Sequence, residues 1–310
     1  MDTLNVPHML VIGGTGFIGH HLLKTAKNKC WQTTSVSLNP PTEERFVDGV
    51  RYLHFDMTDR NLVKKYLDED FDYVVNLGGY INHQLFREGG HDLIDTHFTA
   101  LQNLLEVLPR QKLKCFVQIG SSDEYGKVTA PQNEELREQP ISPYSLAKVA
   151  STHFLQMLHR TENFPAVTLR LFLTYGPGQD TGRFLPQIIR GCLDDATFPT
   201  SAGDQLRDFC YVDDTVRAIL QALAVPGAEG EVFNIGTGVP VSIHEMIEKI
   251  CILTGSGDPQ HGELPYRPDE NMALYANISK AKKILHWKPT TNIDIGLQKT
   301  INYFNNKHHA

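Results

Sequence analysis

The chain is poor in cysteine and tryptophan, with five and two residues in 310. Cys30, Cys115, Cys192, Cys210 and Cys251 form no CxxC pair, and no His/Cys cluster has metal-ligand spacing, so neither a disulfide framework nor a metal centre is expected. Positive charge is also short. Lys and Arg total 29 against 36 Asp and Glu, a net charge of −7 that excludes general nucleic-acid affinity. No apolar run reaches the roughly 18 residues that a membrane span needs. No basic, apolar leader precedes HMLVIGG, where the first strand begins within ten residues of the start. The expectation is a cytoplasmic protein with reduced cysteines.

What is present is an alternation. HMLVI (8–12), TTSVSL (33–38), RYLHF (51–55), YVVNL (73–77), CFVQIG (115–120) and VTLRLF (167–172) read as buried strands. Between most of them lie helical patterns: FIGHHLLKTAKN, NLVKKYLDED and DLIDTHFTALQNLLEVL. That order predicts the α/β class, a Rossmann-type doubly wound parallel sheet. After Gly176 the chain becomes richer in Gly, Pro and Asp. FLPQIIRGCLDD, VDDTVRAILQALA, SIHEMIEKICILTG and SKAKKILHW read there as helices, with Ser242 and Ser279 as N-caps of the last two. The expected division is a dinucleotide-binding domain over 1–172, to which about 210–236 returns, and a smaller C-terminal α/β substrate lobe over 173–209 and 237–310. The terminal NNKHHA reads as frayed, with inert histidines.

GGTGFIG follows the first strand and opens a helix, with Gly13, Gly16 and Gly19 in GxxGxxG spacing. Such a turn lets a pyrophosphate approach the backbone at the positive end of a helix, beside Phe17 and Ile18. A carboxylate at the end of the second strand would hold the ribose hydroxyls of NAD and repel the extra phosphate of NADP. Ser37 and Asn39 stand there instead, which favours NADP(H) and leaves NAD(H) open, since no arginine immediately follows. Asp56 and Met57, after strand three, are candidates for the adenine, with a turn or helix-cap aspartate as the alternative for Asp56. Leu77, Gly78 and Gly79, after strand four, complete the expected cofactor groove.

Ser142 and Pro143 mark a helix start, which puts Tyr144 and Lys148 four apart on one face. A phenol is inert near neutrality unless charge lowers its pKa, and the Lys148 ammonium together with a nicotinamide could do so. Ser121, at the end of strand five, falls where ligands bind in such sheets and could share the reacting oxygen with Tyr144. YxxxK alone is common by chance; the order of glycine turn, serine and YxxxK is what carries the reading.

With these and four further segments, the chain resembles the extended short-chain dehydrogenase/reductases of the sugar-nucleotide epimerase/dehydratase group over nearly its whole length. The further segments are Tyr175-Gly176-Pro177-Gly178, Arg207-Asp208-Phe209 with Val212-Asp213-Asp214, Asn234 to Gly238, and Trp287-Lys288-Pro289. The resemblance implies Ser121, Tyr144 and Lys148 as the catalytic set and a nucleoside-diphosphate sugar as substrate. Arg207 and Arg267 match diphosphate-binding positions, with Arg183 a weaker candidate; an inter-lobe salt bridge is the alternative for each. Two positions depart from the pattern: Leu173 and His97 replace the usual asparagines.

The group includes 4-epimerases, 4,6-dehydratases, decarboxylases and 4-ketoreductases. GSSDEYG with ISPYSLAK, and the second half, are similar to 4-ketoreductases of GDP- and CDP-linked 4-keto-6-deoxysugars, of the GDP-4-keto-6-deoxymannose reductase and CDP-abequose synthase kinds. Asp123 aligns with a dehydratase glutamate, but Ser122 stands where many dehydratases place aspartate. His83, Ser122 and Asp123 are therefore expected around the sugar. Reduction of a C4 ketone is the leading expectation, ahead of epimerisation and dehydration, and a redox-inactive dinucleotide sensor has no use for the three catalytic residues together. Family members pair through two helices around a two-fold axis, so a homodimer is expected, with Phe98, Leu105, Phe154 and Met157 on an exposed apolar face.

Overall fold

In the computed structural model, which describes residues 6–266 and 270–308, the central sheet is seven-stranded and wholly parallel. Its strands are β1 (His8–Ile12), β2 (Gln32–Ser37), β3 (Arg51–His54), β4 (Tyr73–Asn76), β5 (Cys115–Ser121), β6 (Ala166–Leu171) and β11 (Val232–Ile235). The order β11-β6-β5-β4-β1-β2-β3 reverses between β1 and β4, and crevices for ligands open at such a switch point. Period-2 alternation decides the packing. Met9 and Val11 of β1 join one core and Leu10 and Ile12 the other, as do Val117 and Phe116 of β5.

Helices α1 (Phe17–Asn28), α2 (Arg60–Tyr66), α3 (Gly90–Ile94), α4 (Ala100–Val107) and α5 (Pro143–Glu162) belong to the first half. The helix expected without interruption over 92–108 is divided by a π turn at Asp95–Thr99, which carries the buried His97. Helices α6 (Phe184–Leu193), α7 (Val212–Ala224), α8 (Ile243–Thr254), α9 (Ser279–Ile284) and α10 (Ile293–His308) follow. Short strands pair among them: β7 (Leu173–Tyr175) with β10 (Phe209–Tyr211), β8 (Thr197–Thr200) with β13 (Asp258–His261), and β9 (Leu206–Arg207) with β12 (Val241–Ser242) and β14 (Ala273–Leu274).

Ser142 and Ser242 cap α5 and α8 as expected, each through a capping box. Ser279 does not cap α9. It is the first helical residue, its amide donating to Asn277 Oδ1, and Ile278 occupies the cap position. The tail is not frayed as far as His308, because α10 buries Leu297, Ile301 and Phe304 against the core and His308 meets Asp194 at 2.5 Å. Asp214 ties the last segments down. Its carboxylate accepts from Thr290 and Thr291 amides, and its carbonyl accepts from Trp287 Nε1 at 3.0 Å. No helix among the described residues is long and apolar enough to cross a membrane.

Candidate active site

The glycine turn sits at the switch point. Gly13 has φ +79°, and a Cβ there would lie 2.9 Å from the Leu77 carbonyl oxygen, so the turn can close only on glycine. Gly16 occupies the N-cap of α1 with no side-chain cap, and the first turn holds no acidic residue. The N-terminal amides of α1 therefore keep their capacity for an anion, as a dinucleotide pyrophosphate requires.

The groove around this turn is built by loop-to-loop hydrogen bonds. Ser37 Oγ accepts from the Thr15 amide at 3.2 Å, and the Thr15 hydroxyl reaches the exposed Asn39 carbonyl at 3.5 Å. Asp56 is exposed and accepts from the Thr58 amide and hydroxyl at 2.8 Å, while Asp59 caps α2. The amide of Asn103 holds the Met57 and Thr58 carbonyls, fixing that loop. Arg45, which sequence reasoning passed over, lies in a 3₁₀ turn after β2. Its guanidinium donates to Thr15 O at 3.2 Å and Gly178 O at 2.9 Å, and pairs with Asp180 at 2.6 Å.

Across the switch point, β5 ends in Ser121 and α5 begins one residue before Tyr144. Ser121 Oγ accepts from the Asp123 amide at 3.1 Å and also hydrogen-bonds the Tyr144 phenol. Lys148 is buried, with Nζ donating to the Ile119 carbonyl at 2.9 Å and standing 5.8 Å from the Tyr144 ring centre. Burial pushes the Lys148 ammonium down to about 8, against an opposing pull from Glu124. Burial, with the charge of Asp123, pushes the Tyr144 phenol up despite its hydrogen bond to Ser121. The lowering expected from Lys148 together with a nicotinamide is absent in the chain alone, where burial of the phenol outweighs its hydrogen bond to Ser121.

Behind Ser121 lies a buried network. Glu124, fully buried, accepts from the Ser121 amide at 2.9 Å, from the Thr152 hydroxyl at 2.9 Å and from Arg170 Nε at 2.8 Å. Arg170 also reaches Glu138 at 2.5 Å and lies over the Tyr125 ring. Sequence reasoning missed this support. Its signals were Ser121-x-x-Glu124, a capping-box spacing, and a lone arginine inside the apolar VTLRLF run.

Two histidines flank Tyr144. His97 is 5% exposed, packs edge-on to the phenol ring at 5.0 Å, and bonds the Tyr80 carbonyl at 2.9 Å through Nε2. Burial, with the Lys148 charge, lowers its pKa to about 3, so the ring is neutral. Gly79, at φ +99°, makes room for it: a Cβ there would meet the His97 ring at 2.1 Å. His83 stands on the other flank, exposed, 6.0 Å from the ring and 3.0 Å from Asp123 Oδ2.

The family model described as "NAD dependent epimerase/dehydratase family" matches residues 9–236. The chain belongs to that family. A probable dTDP-glucose 4,6-dehydratase of Sinorhizobium fredii is 28% identical, covering 96% of this chain and 92% of the relative. Among solved structures, the UDP-glucose 4-epimerase of Thermotoga maritima, with UDP-glucose, superposes at TM-score 0.88 and 25% identity, over 97% of this chain and 99% of that one. The UDP-glucuronic acid 4-epimerase of Bacillus cereus, in complex with UDP-glucuronic acid and NAD, gives 0.85 and 28%, over 97% and 99%.

In this family member the expected sugar-side residues do not all converge. Ser122 is buried beside Asp123, and Arg183, exposed at the start of α6, is close enough for its charge to act on Tyr144. Arg207, in β9, pairs with Glu270 and donates to Leu206 O at 2.9 Å, so in the chain alone it is engaged in an ion pair. Arg267 lies outside the described residues. Leu173, replacing the usual asparagine, is 40% exposed. Leu105 is buried, not on an exposed face, and Phe98 packs edge-on to Phe154 at 5.7 Å. Only Met157 of the four keeps a substantial exposed apolar surface, at 37%.

Proposed function

We propose that the protein reduces the C4 ketone of a nucleoside-diphosphate 4-keto-6-deoxysugar, with NADP(H) preferred over NAD(H). The observation that carries this reading is the convergence of Ser121, Tyr144 and Lys148 at the sheet's switch point, beside a glycine turn whose amides suit a pyrophosphate. Bound NAD(P)H supplies the hydride for C4. The chain does the rest. Tyr144, held as a neutral phenol, passes its proton to the C4 oxygen as the alkoxide develops, and Ser121 donates a hydrogen bond to the same oxygen. The buried Lys148 ammonium stabilises the phenolate left behind. Arg183, with Arg207 released from Glu270 and with Arg267, would take the diphosphate.

Ser122 argues against dehydration, which needs separate groups to take the C5 proton and to protonate the departing C6 hydroxyl. Here Ser122 offers no carboxylate, and the neighbouring Asp123 is engaged by His83 at 3.0 Å. Arg45 beside Thr15 and the neutral Ser37 favour a cofactor bearing a 2′-phosphate. A 4-epimerase is the second reading, favoured by the likeness to solved UDP-sugar 4-epimerases. Assembly as a homodimer through α5 and its neighbour would cover Phe98, Phe154 and Met157.

Two incubations separate the readings. Nucleotide 4-keto-6-deoxysugars with NADPH should consume reductant stoichiometrically, whereas UDP-glucose without added reductant should give no UDP-galactose. The reverse pattern establishes the epimerase and overturns the reductase. Ser37→Asp should turn a preference for NADP(H) into one for NAD(H); a wild-type preference for NAD(H) of about tenfold, worth about 1.4 kcal/mol, would refute the cofactor assignment.

A further inference from the structure

Far along the chain from the catalytic residues, His244, Glu248 and His261 bring two imidazoles and a carboxylate together, with ligand atoms within 4.8 Å of one another. The proposed reaction uses none of them. His244 and Glu248 are four apart on α8 and so share a face. His261 comes from β13, in register with Thr200 of β8, and its ring centre lies 4.1 Å from that of His244.

His261 is held at both ring nitrogens: Nδ1 lies 3.1 Å from the Thr200 hydroxyl, which also reaches the Ser201 carbonyl at 3.0 Å, and Nε2 lies 2.9 Å from Glu248 Oε1. In the tautomer with hydrogen on Nδ1, Nε2 turns its lone pair toward the Glu248 carboxylate, and a cation between them would take both as ligands. His244 places a second imidazole beside this pair, a third donor of the kind that suits a metal ion.

We infer that His244, Glu248 and His261 form a site for a divalent transition cation of the zinc class. Two imidazoles and one carboxylate suit such an ion, with a coordination position left for water. Bonds of about 2.0–2.1 Å imply ligand separations of roughly 3.3 Å. His244 is exposed, so its side chain can swing the ångström or so required. Thr200 has the place of the outer hydrogen-bond partner that sets the tautomer of a metal-binding histidine. A bound ion would clamp β13 to α8 and brace the segment leading to Tyr266, whose hydroxyl donates to Asp204 at 2.6 Å.

The test uses full-length protein stripped with chelator and carrying His308→Ala and His309→Ala, so that the terminal histidines do not compete. Titration with Zn2+ against a chromophoric chelator should show one equivalent bound with Kd of about 1 μM or tighter. His244→Ala and His261→Ala should each weaken binding more than about tenfold, and Thr200→Val by about tenfold. Cys251→Ser, one turn further along α8, should change nothing. Zn2+ should raise Tm in the parent and not in His244→Ala, an exposed substitution that leaves the fold intact. Affinity weaker than about 0.1 mM, or binding unaltered by His244→Ala, would overturn the site and leave a histidine–carboxylate contact. Neither result bears on hydride transfer.

Discussion

Tyr144 has two unlike flanks. On the inner one, His97, Lys148, Glu124 and Arg170 are all buried, and each is fixed by at least one hydrogen bond to backbone or to another buried side chain. On the outer one, His83 and Arg183 are exposed and Asp123 is half-buried. Inner charges act through low dielectric and set protonation states; outer charges are screened until substrate excludes water. In the proposed reaction the inner flank would therefore govern the proton donor, and the outer flank would meet the sugar.

The largest expected effect lies between the flanks. Tyr144→Phe removes the proton donor and little surface, so single-turnover hydride transfer should slow by about 10²–10⁴ while cofactor affinity changes little. A wild-type rate would move the chemistry elsewhere. Glu124→Gln, one layer inward, leaves Arg170 buried with Glu138 as its remaining charge partner. Unfolding in urea should show a loss of about 3 kcal/mol, the low end for breaking a buried pair because Glu138 persists.

Lys148→Met should act in the opposite direction on stability. The lysine titrates near 8 in the fold, below its ordinary value of 10.5. Between those pH values the unfolded chain binds a proton that the folded chain lacks, so raising pH through the window increases stability. Below about pH 8 the buried ammonium carries its full cost, about 3 kcal/mol for this shift. Lys148→Met should remove that cost and lose the bond to Ile119 O, a net gain of about 2 kcal/mol at pH 7 that shrinks toward pH 11. Activity should vanish in the same variant. In the wild type it should decline as pH rises through about 8 with loss of the ammonium, with no acidic limb from His97, whose pKa is near 3.

On the outer flank, His83→Ala should raise the sugar-nucleotide KM by about tenfold or less with kcat nearly unchanged, as expected for a contact made equally in ground and transition states. A large kcat loss there, read by steady-state kinetics, would erase the distinction between the flanks.

Much of this was legible in the chain. Local patterns determined the six N-terminal strands, the α1 and α7 boundaries, the Ser142 and Ser242 caps and the glycine turn, because periodicity, caps and turns depend on residues a few positions apart. The spacing of Tyr144 and Lys148 likewise placed them on one face of α5. Only the tertiary structure decided the rest. It brought Arg45 to Thr15, set Glu124 against Arg170, divided the fourth-strand helix with a π turn that buries His97, took Leu105 into the core, and joined His261 to His244 and Glu248. Each of these depends on segments distant in sequence meeting in space. Burial and through-space charge, which set the opposite displacements of Tyr144 and Lys148, exist only once the chain has closed around them.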